Sequence, residues 1–150
     1  MTNSADKQAP SGRTLALDVG AKRIGLAVSD ALGITAQGLE TLQRKNKRSD
    51  MERLAALIEE YGVKEIVVGY PLHMSGDPGA QSLKVAEFAD ELRRRFSFPV
   101  HLWDERLTSA EANRLLRETE MSIRRRGQVV DRMAATLILQ AFLEHRAARG

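Results

Sequence analysis

The run Leu15-Ala16-Leu17-Asp18-Val19-Gly20 constrains this chain more than any other segment. It reads as a buried first strand, yet it carries a carboxylate near its end. A buried charge is expensive unless it is paired or holds a metal. Two further acids occupy comparable places: Glu105 closes Val100-His101-Leu102-Trp103-Asp104-Glu105, and Asp131 opens the apolar helical run over residues 130–143. Three carboxylates at the edges of buried elements, in a basic chain, predict a divalent-metal site that works on phosphates.

A length of 150 residues suits one domain with a core that needs no staples. The chain has no cysteine, which removes disulfides, thiolate nucleophiles and Cys-type zinc sites together. No apolar stretch approaches a membrane span, and the polar first residues lack the apolar centre of a signal peptide. These features predict a cytoplasmic protein with no membrane partner, a disordered tail over residues 1–12 and a single domain over 13–150. The formal net charge is only +3 although the pI is about 9.5, so the total says less than its distribution. Arg44, Lys45, Lys47 and Arg48 form one cluster, Arg93, Arg94 and Arg95 a second, and Arg124, Arg125 and Arg126 a third. The second suits the dipole at a helix C-terminus. The other two are expected in loops, where contacts to a phosphate backbone are usually made.

Short connections between apolar runs at residues 14–19, 24–29 and 34–42 predict three antiparallel neighbours. Ser49 and Glu52 have capping-box spacing and predict the start of a helix that Gly62 stops. The continuous apolar centre Ile66-Val67-Val68 marks a strand covered on both faces. A helix over 80–96 and a strand over 100–105 follow. Thr108 and Glu111 start another helix reaching about residue 120. Residues 121–128 read as a mobile basic loop, and a last helix runs from about 129 to 145. The order β-β-β-α-β-α-β-α-α predicts an α/β fold of the ribonuclease H-like type: a three-strand antiparallel meander plus two parallel strands, with helices on both faces.

In that arrangement the first strand is central, the strand ending at Glu105 lies near it, and the last helix packs across the sheet. Alternation puts Asp18 on a face with Thr14 and Ala16. Asp104 shares a face with Val100 and Leu102, and Glu105 shares the other with His101 and Trp103. Burial alone leaves the choice between Asp104 and Glu105 open, while reach favours Glu105. Asp131 either serves the helix dipole or leads the stripe Ala134, Ala135, Ile138 and Phe142 toward the core. Magnesium and manganese prefer oxygen ligands and keep several waters, so a few carboxylates plus phosphate oxygens complete their shell. Two such ions about 4 Å apart activate a water and stabilise the departing oxygen of a phosphodiester. His73, His101 and His145 are scattered and read as ordinary surface or strand side chains. The loop Gly69-Tyr70-Pro71-Leu72-His73-Met74-Ser75-Gly76-Asp77-Pro78-Gly79-Ala80-Gln81 is long for a plain connection. It follows the end of a parallel-type strand, where open α/β sheets place ligands.

Four blocks resemble the YqgF family, also called RuvX. They are Asp18-Val19-Gly20-Ala21-Lys22-Arg23-Ile24-Gly25 with the residues following to Asp30, and Gly69-Tyr70-Pro71 with Met74, Ser75, Gly76, Gly79 and Gln81. The others are Asp104-Glu105-Arg106-Leu107-Thr108 and Asp131 with Ala134, Ala135, Ile138, Leu139 and Gln140. His73 and Ser75 depart from the usual pattern. The resemblance implies a metal-dependent nuclease whose catalytic and metal-binding acids are Asp18, Glu105 and Asp131, with one or two Mg2+ or Mn2+ ions. On that reading Lys22, Arg23, Arg106, Arg124, Arg125 and Arg126 are expected to position the phosphate backbone, and Gly76 to let the substrate strand approach closely. The substrate implied is nucleic acid: the 5′ end of pre-16S rRNA or, alternatively, a four-way DNA junction. The oligomeric state is monomer or homodimer.

Two other classes compete. An actin-like or sugar-kinase ATPase also begins with a strand and Asp-x-Gly, but needs two lobes where this length supplies one. A non-catalytic nucleic-acid-binding module on the same fold would have no use for the three acids.

Overall fold

The computed structural model describes residues 12–71, 79–104 and 123–149, apart from the side chains of residues 123–131. The elements are β1 (Arg13–Val19), β2 (Arg23–Ser29), β3 (Ala36–Gln43), α1 (Lys47–Tyr61), β4 (Val63–Tyr70), α2 (Ala80–Arg95), β5 (Val100–Asp104) and α3 (Ile123–Arg149). The expected tail and the helix expected from Thr108 lie outside the described residues.

The strands form one five-stranded sheet in the order β3-β2-β1-β4-β5. Tight turns make β1–β2 and β2–β3 antiparallel, whereas crossovers through α1 and α2 make β1–β4 and β4–β5 parallel. This is the predicted ribonuclease H-like mixed sheet. β1 is central, but β5 is separated from it by β4 and forms the edge of the sheet.

Alternation along the strands divides the interior in two. Leu15, Leu17, Val19, Ile24, Ile66 and Val68 pack with Leu54 and Ile58 of α1 and Phe88 and Leu92 of α2. On the other face Ala16, Ala27 and Val67 pack with Ala135, Ile138, Leu139 and Leu143 of α3. Small residues on this second face let a long helix lie close. At Gly38 an added Cβ would stand 2.5 Å from Cγ of Arg132, a residue of α3.

Three element starts differ from expectation, each for a local reason, and the last helix runs four residues further, to Arg149. β3 starts at Ala36 because the amides of Ile34 and Thr35 donate to Oδ1 of Asp30, at 2.7 and 3.1 Å, and close the turn. Those two donors hold the Asp30 carboxyl below the usual carboxylate range. α1 starts at Lys47, with Asn46 rather than Ser49 as its cap: Asn46 Oδ1 accepts the amide of Ser49 at 2.8 Å. Gly62, at φ 64°, ends α1 as predicted. α3 begins at Ile123, so Arg124, Arg125 and Arg126 belong to its first turns and not to a loop. Arginine is a good helix former, and residues 121–128 contain no proline to stop the helix.

Candidate active site at the end of the central strand

Asp18 is half-buried at the C-terminal end of β1 and pairs in register with Gly25 of β2. It follows the fully buried Leu15, Ala16 and Leu17 and alternates with Ala16, so it lies on the face that α3 covers. Arg23, two residues before Gly25 on β2, shares that face by the same alternation. Lys22 is exposed in the turn and belongs to the opposite side.

The backbone beyond Asp18 is fastened from three directions. Gly20 donates its amide to the carbonyl of Arg23 at 2.9 Å, closing the turn. A Cβ on Gly20 would stand 2.9 Å from that same carbonyl oxygen, so the turn requires glycine. Arg44 donates from Nη1 to the Gly20 carbonyl at 2.8 Å and from Nε to Oδ2 of Asp50 at 3.1 Å, and its guanidinium lies over the Phe88 ring. Asp50 is 1% exposed and also accepts the Lys45 amide at 3.0 Å. Gln81, in the first turn of α2, donates from Nε2 to the Val19 carbonyl at 3.0 Å. The ends of the glycine-rich segment are joined too, since the buried Ser82 hydroxyl donates to the Pro71 carbonyl.

The basic clusters resolve differently from the sequence reading. Arg44 is a structural brace, and Lys47 and Arg48 sit in the first turn of α1, not in a loop. Arg93, Arg94 and Arg95 close α2 as expected; Arg93 donates to the Val100 carbonyl, and Arg94 pairs with Glu91. Spacing gave no sign of the Arg44–Asp50 brace, because an acid in a first helical turn reads as a dipole partner. The role of Gln81 had one available signal, its position at the start of the helix after the glycine-rich loop.

Of the other predicted site residues, Gly76, Glu105 and Arg106 lie outside the described residues. Asp131, Arg124, Arg125 and Arg126 are placed within α3 by its backbone, with Asp131 one turn before the buried Ala135. Trp103 packs with the α3 layer, whereas Val100 belongs to the other core, so alternation puts Asp104 on the face away from Asp18.

A second buried acid, Glu65, lies on the α3 face at the opposite end of the sheet. Its carboxylate accepts hydrogen bonds from Thr14 Oγ1 at 3.0 Å, from His101 Nε2 at 2.9 Å and from Arg146. Burial raises its pKa, but the bonds from Arg146 and His101, the Arg146 charge and the Thr14 bond outweigh it and hold the carboxyl below its ordinary value. Phe142 of α3 stacks under Arg146 and meets the rings of His101 and Trp103, while His145 meets Trp103 edge-on. His101 and His145 are therefore engaged in holding α3 to the sheet.

Among the described residues no group of three His, Asp or Glu side chains could hold a metal ion. The described donor nearest to the proposed chemistry is the Asp18 carboxylate. A hard, half-buried oxygen donor at a strand end suits Mg2+ or Mn2+, which take carboxylates and water. Among the described residues no helix is long and apolar enough to cross a membrane.

A family model described as RuvX, Holliday junction resolvase, matches residues 12–145. The chain belongs to the RuvX family. RuvX relatives include a Koribacter versatilis protein named "Putative pre-16S rRNA nuclease", 60% identical over 141 residues, covering 94% of this chain and 92% of the relative. A Moorella thermoacetica protein of the same name is 49% identical over 138 residues, covering 92% and 99%. Among solved structures, Thermus thermophilus RuvC in complex with Holliday junction substrate superposes with a TM-score of 0.51 at 15% identity, covering 92% of this chain and 95% of that one. The yeast mitochondrial Holliday junction resolvase Ydc2 superposes with a TM-score of 0.56 at 10% identity, covering 93% and 80%. At such identities the likeness shows a shared fold, the RuvC-type ribonuclease H-like sheet.

Proposed function

We propose that this RuvX-family chain is a metal-dependent nuclease that hydrolyses phosphodiester bonds and matures the 5′ end of pre-16S rRNA. The observation that carries the proposal is the setting of Asp18. Its carboxylate lies near the end of the central strand on the face covered by the helix that bears Asp131, and the backbone just beyond it is braced by Gln81 and Arg44. The names of the Koribacter and Moorella relatives support the substrate.

In this reading Asp18, Glu105 and Asp131 hold one or two Mg2+ or Mn2+ ions. Bound there, the ions would lower the pKa of a water and stabilise charge on the phosphate oxygens. The chain's own residues do the rest. The rigid turn after Asp18 fixes the direction of its carboxylate, and oriented placement of reacting groups is itself worth several kcal/mol of barrier. Arg23 would neutralise a phosphate on the Asp18 face, with Lys22, Arg106, Arg124, Arg125 and Arg126 positioning neighbouring phosphates. Gly76 would admit the strand closely. Phosphate contacts of this kind fix register and carry no preference for RNA or DNA.

The family description favours a second reading, resolution of four-way DNA junctions. Side-by-side cleavage of a pre-16S leader mimic and a four-way junction, with Asp18→Asn as control, separates the two. The proposal expects metal-dependent trimming of the RNA that Asp18→Asn abolishes. Cleavage of the junction alone would replace the substrate, and cleavage of neither with either metal would remove the catalytic reading.

A further inference from the structure

On the side of the sheet away from Asp18, a cleft of about 600 Å³ opens between the β1–β2 turn, the β3–α1 connection and the exposed face of α2. Val19 and Gly20, the residues directly after Asp18, form one wall. Among the described residues five cations line it against three acids. Two of the acids are paired, Asp50 with Arg44 and Glu91 within reach of Lys47 and Arg94, while Glu87 is exposed on the same wall and offsets one cation. The bonds and charge of Arg94, with Lys47, keep the Glu91 carboxyl ionised below its ordinary range. That leaves Lys22, Lys45 and Lys84, all exposed and all without an ion pair among the described residues. They come from three different elements and meet at one opening.

We propose that this cleft is a phosphate-binding groove for a single strand of nucleic acid, held by Lys22, Lys45 and Lys84. The groove continues the substrate path from the Asp18 face over the Gly20 turn to the α1–α2 side of the sheet. At about 600 Å³ the cleft has room for a short stretch of one strand. The long flexible lysine stems can follow a backbone without reading bases, which is the chemistry of sequence-independent single-strand binding. The inference rests on the nuclease reading for what the strand is, and on the cleft alone for where it lies.

The test is fluorescence anisotropy of a labelled single-stranded oligoribonucleotide titrated with the full chain over a range of salt concentrations. Each single-strand phosphate contact contributes about 0.7 to the slope of log K against log salt. Lys45→Gln/Lys84→Gln should therefore lower the slope by about 1.4, with KM raised and kcat at saturating strand unchanged. Lys64→Gln/Arg149→Gln removes the same charge from exposed positions at the other end of the strands and should leave the slope as it is. An unchanged slope in the first variant, or an equal fall in the second, overturns the groove. Binding is read without cleavage, so the two proposals fail separately. A chain that shows the slope change but cuts nothing keeps the groove and loses the nuclease reading; one that cuts with no slope change does the reverse.

Discussion

Glu65 and Asp18 both lie on the α3 face of this sheet, at opposite ends of the neighbouring parallel strands β4 and β1. At the start of β4, Glu65 is 8% exposed and enclosed by Thr14, His101 and Arg146, with aromatic rings of β5 and α3 packed around them. At the far end of β1, Asp18 is half-buried beside a turn that needs glycine, with the joined ends of a long glycine-rich segment close by. Both positions must compensate a carboxylate taken from water. The Glu65 end does so with side chains that also tie α3 to the sheet, which makes it architecture. The Asp18 end is fixed through the backbone that follows it, at the Gly20 turn and the Val19 and Gly20 carbonyls, and it is where we propose that the nucleic acid binds.

The sharpest way to break this contrast is Asp18→Asn. It should lower kcat by about a thousandfold or more, since metal-assisted charge stabilisation is worth several kcal/mol, and leave thermal stability near wild type. A fold that collapses on this change would make Asp18 structural as well. Glu65→Ala should do the converse. Removing the acceptor that ties Arg146, His101 and Thr14 together should destabilise the chain by about 1–3 kcal/mol in a denaturant melt, with kcat of the folded fraction unchanged.

The same network sets an acid limit. The Glu65 carboxyl is held below its ordinary value of 4.5, so its stabilisation is complete above that pH and is lost as pH falls through the folded pKa. Unfolding followed against pH should therefore show a decline below about pH 4.5 that Glu65→Gln flattens. A smaller effect belongs to Gln81→Ala. Losing its bond to the Val19 carbonyl should cost about 1 kcal/mol and raise KM or lower kcat severalfold through a looser turn. If activity is untouched, Gln81 braces the fold and not the site.

Much of this architecture was legible in the residues. The runs around Leu17, Leu26 and Val67 carried the order of strands along the chain, and Gly62 marked a helix end. Asp18 announced itself because a lone acid in an apolar run has few structural excuses. Glu65 escaped the same logic. Lys64-Glu65 is a charged pair at the entrance of β4, so the acid reads as part of an exposed strand start until β1 and α3 are placed against it. Asp50 was hidden in the same way inside a first helical turn. The Asn46 cap lost to Ser49 in the sequence because a capping-box spacing was available one turn too late. The arginines of α3 were read as a loop because charge density resembles solvent exposure whether or not the backbone is helical. Pairings between distant residues, such as Thr14–Glu65 and Val19–Gln81, have no local signature at all.

The most direct test of the functional end is calorimetric titration of Mn2+ into the wild-type chain and into Asp18→Asn, in the absence of nucleic acid. Saturable binding by the wild type and its loss in the folded Asp18→Asn chain would be the predicted result. Equal binding by both would place the metal away from Asp18 and contradict the assignment of this strand end as the catalytic centre.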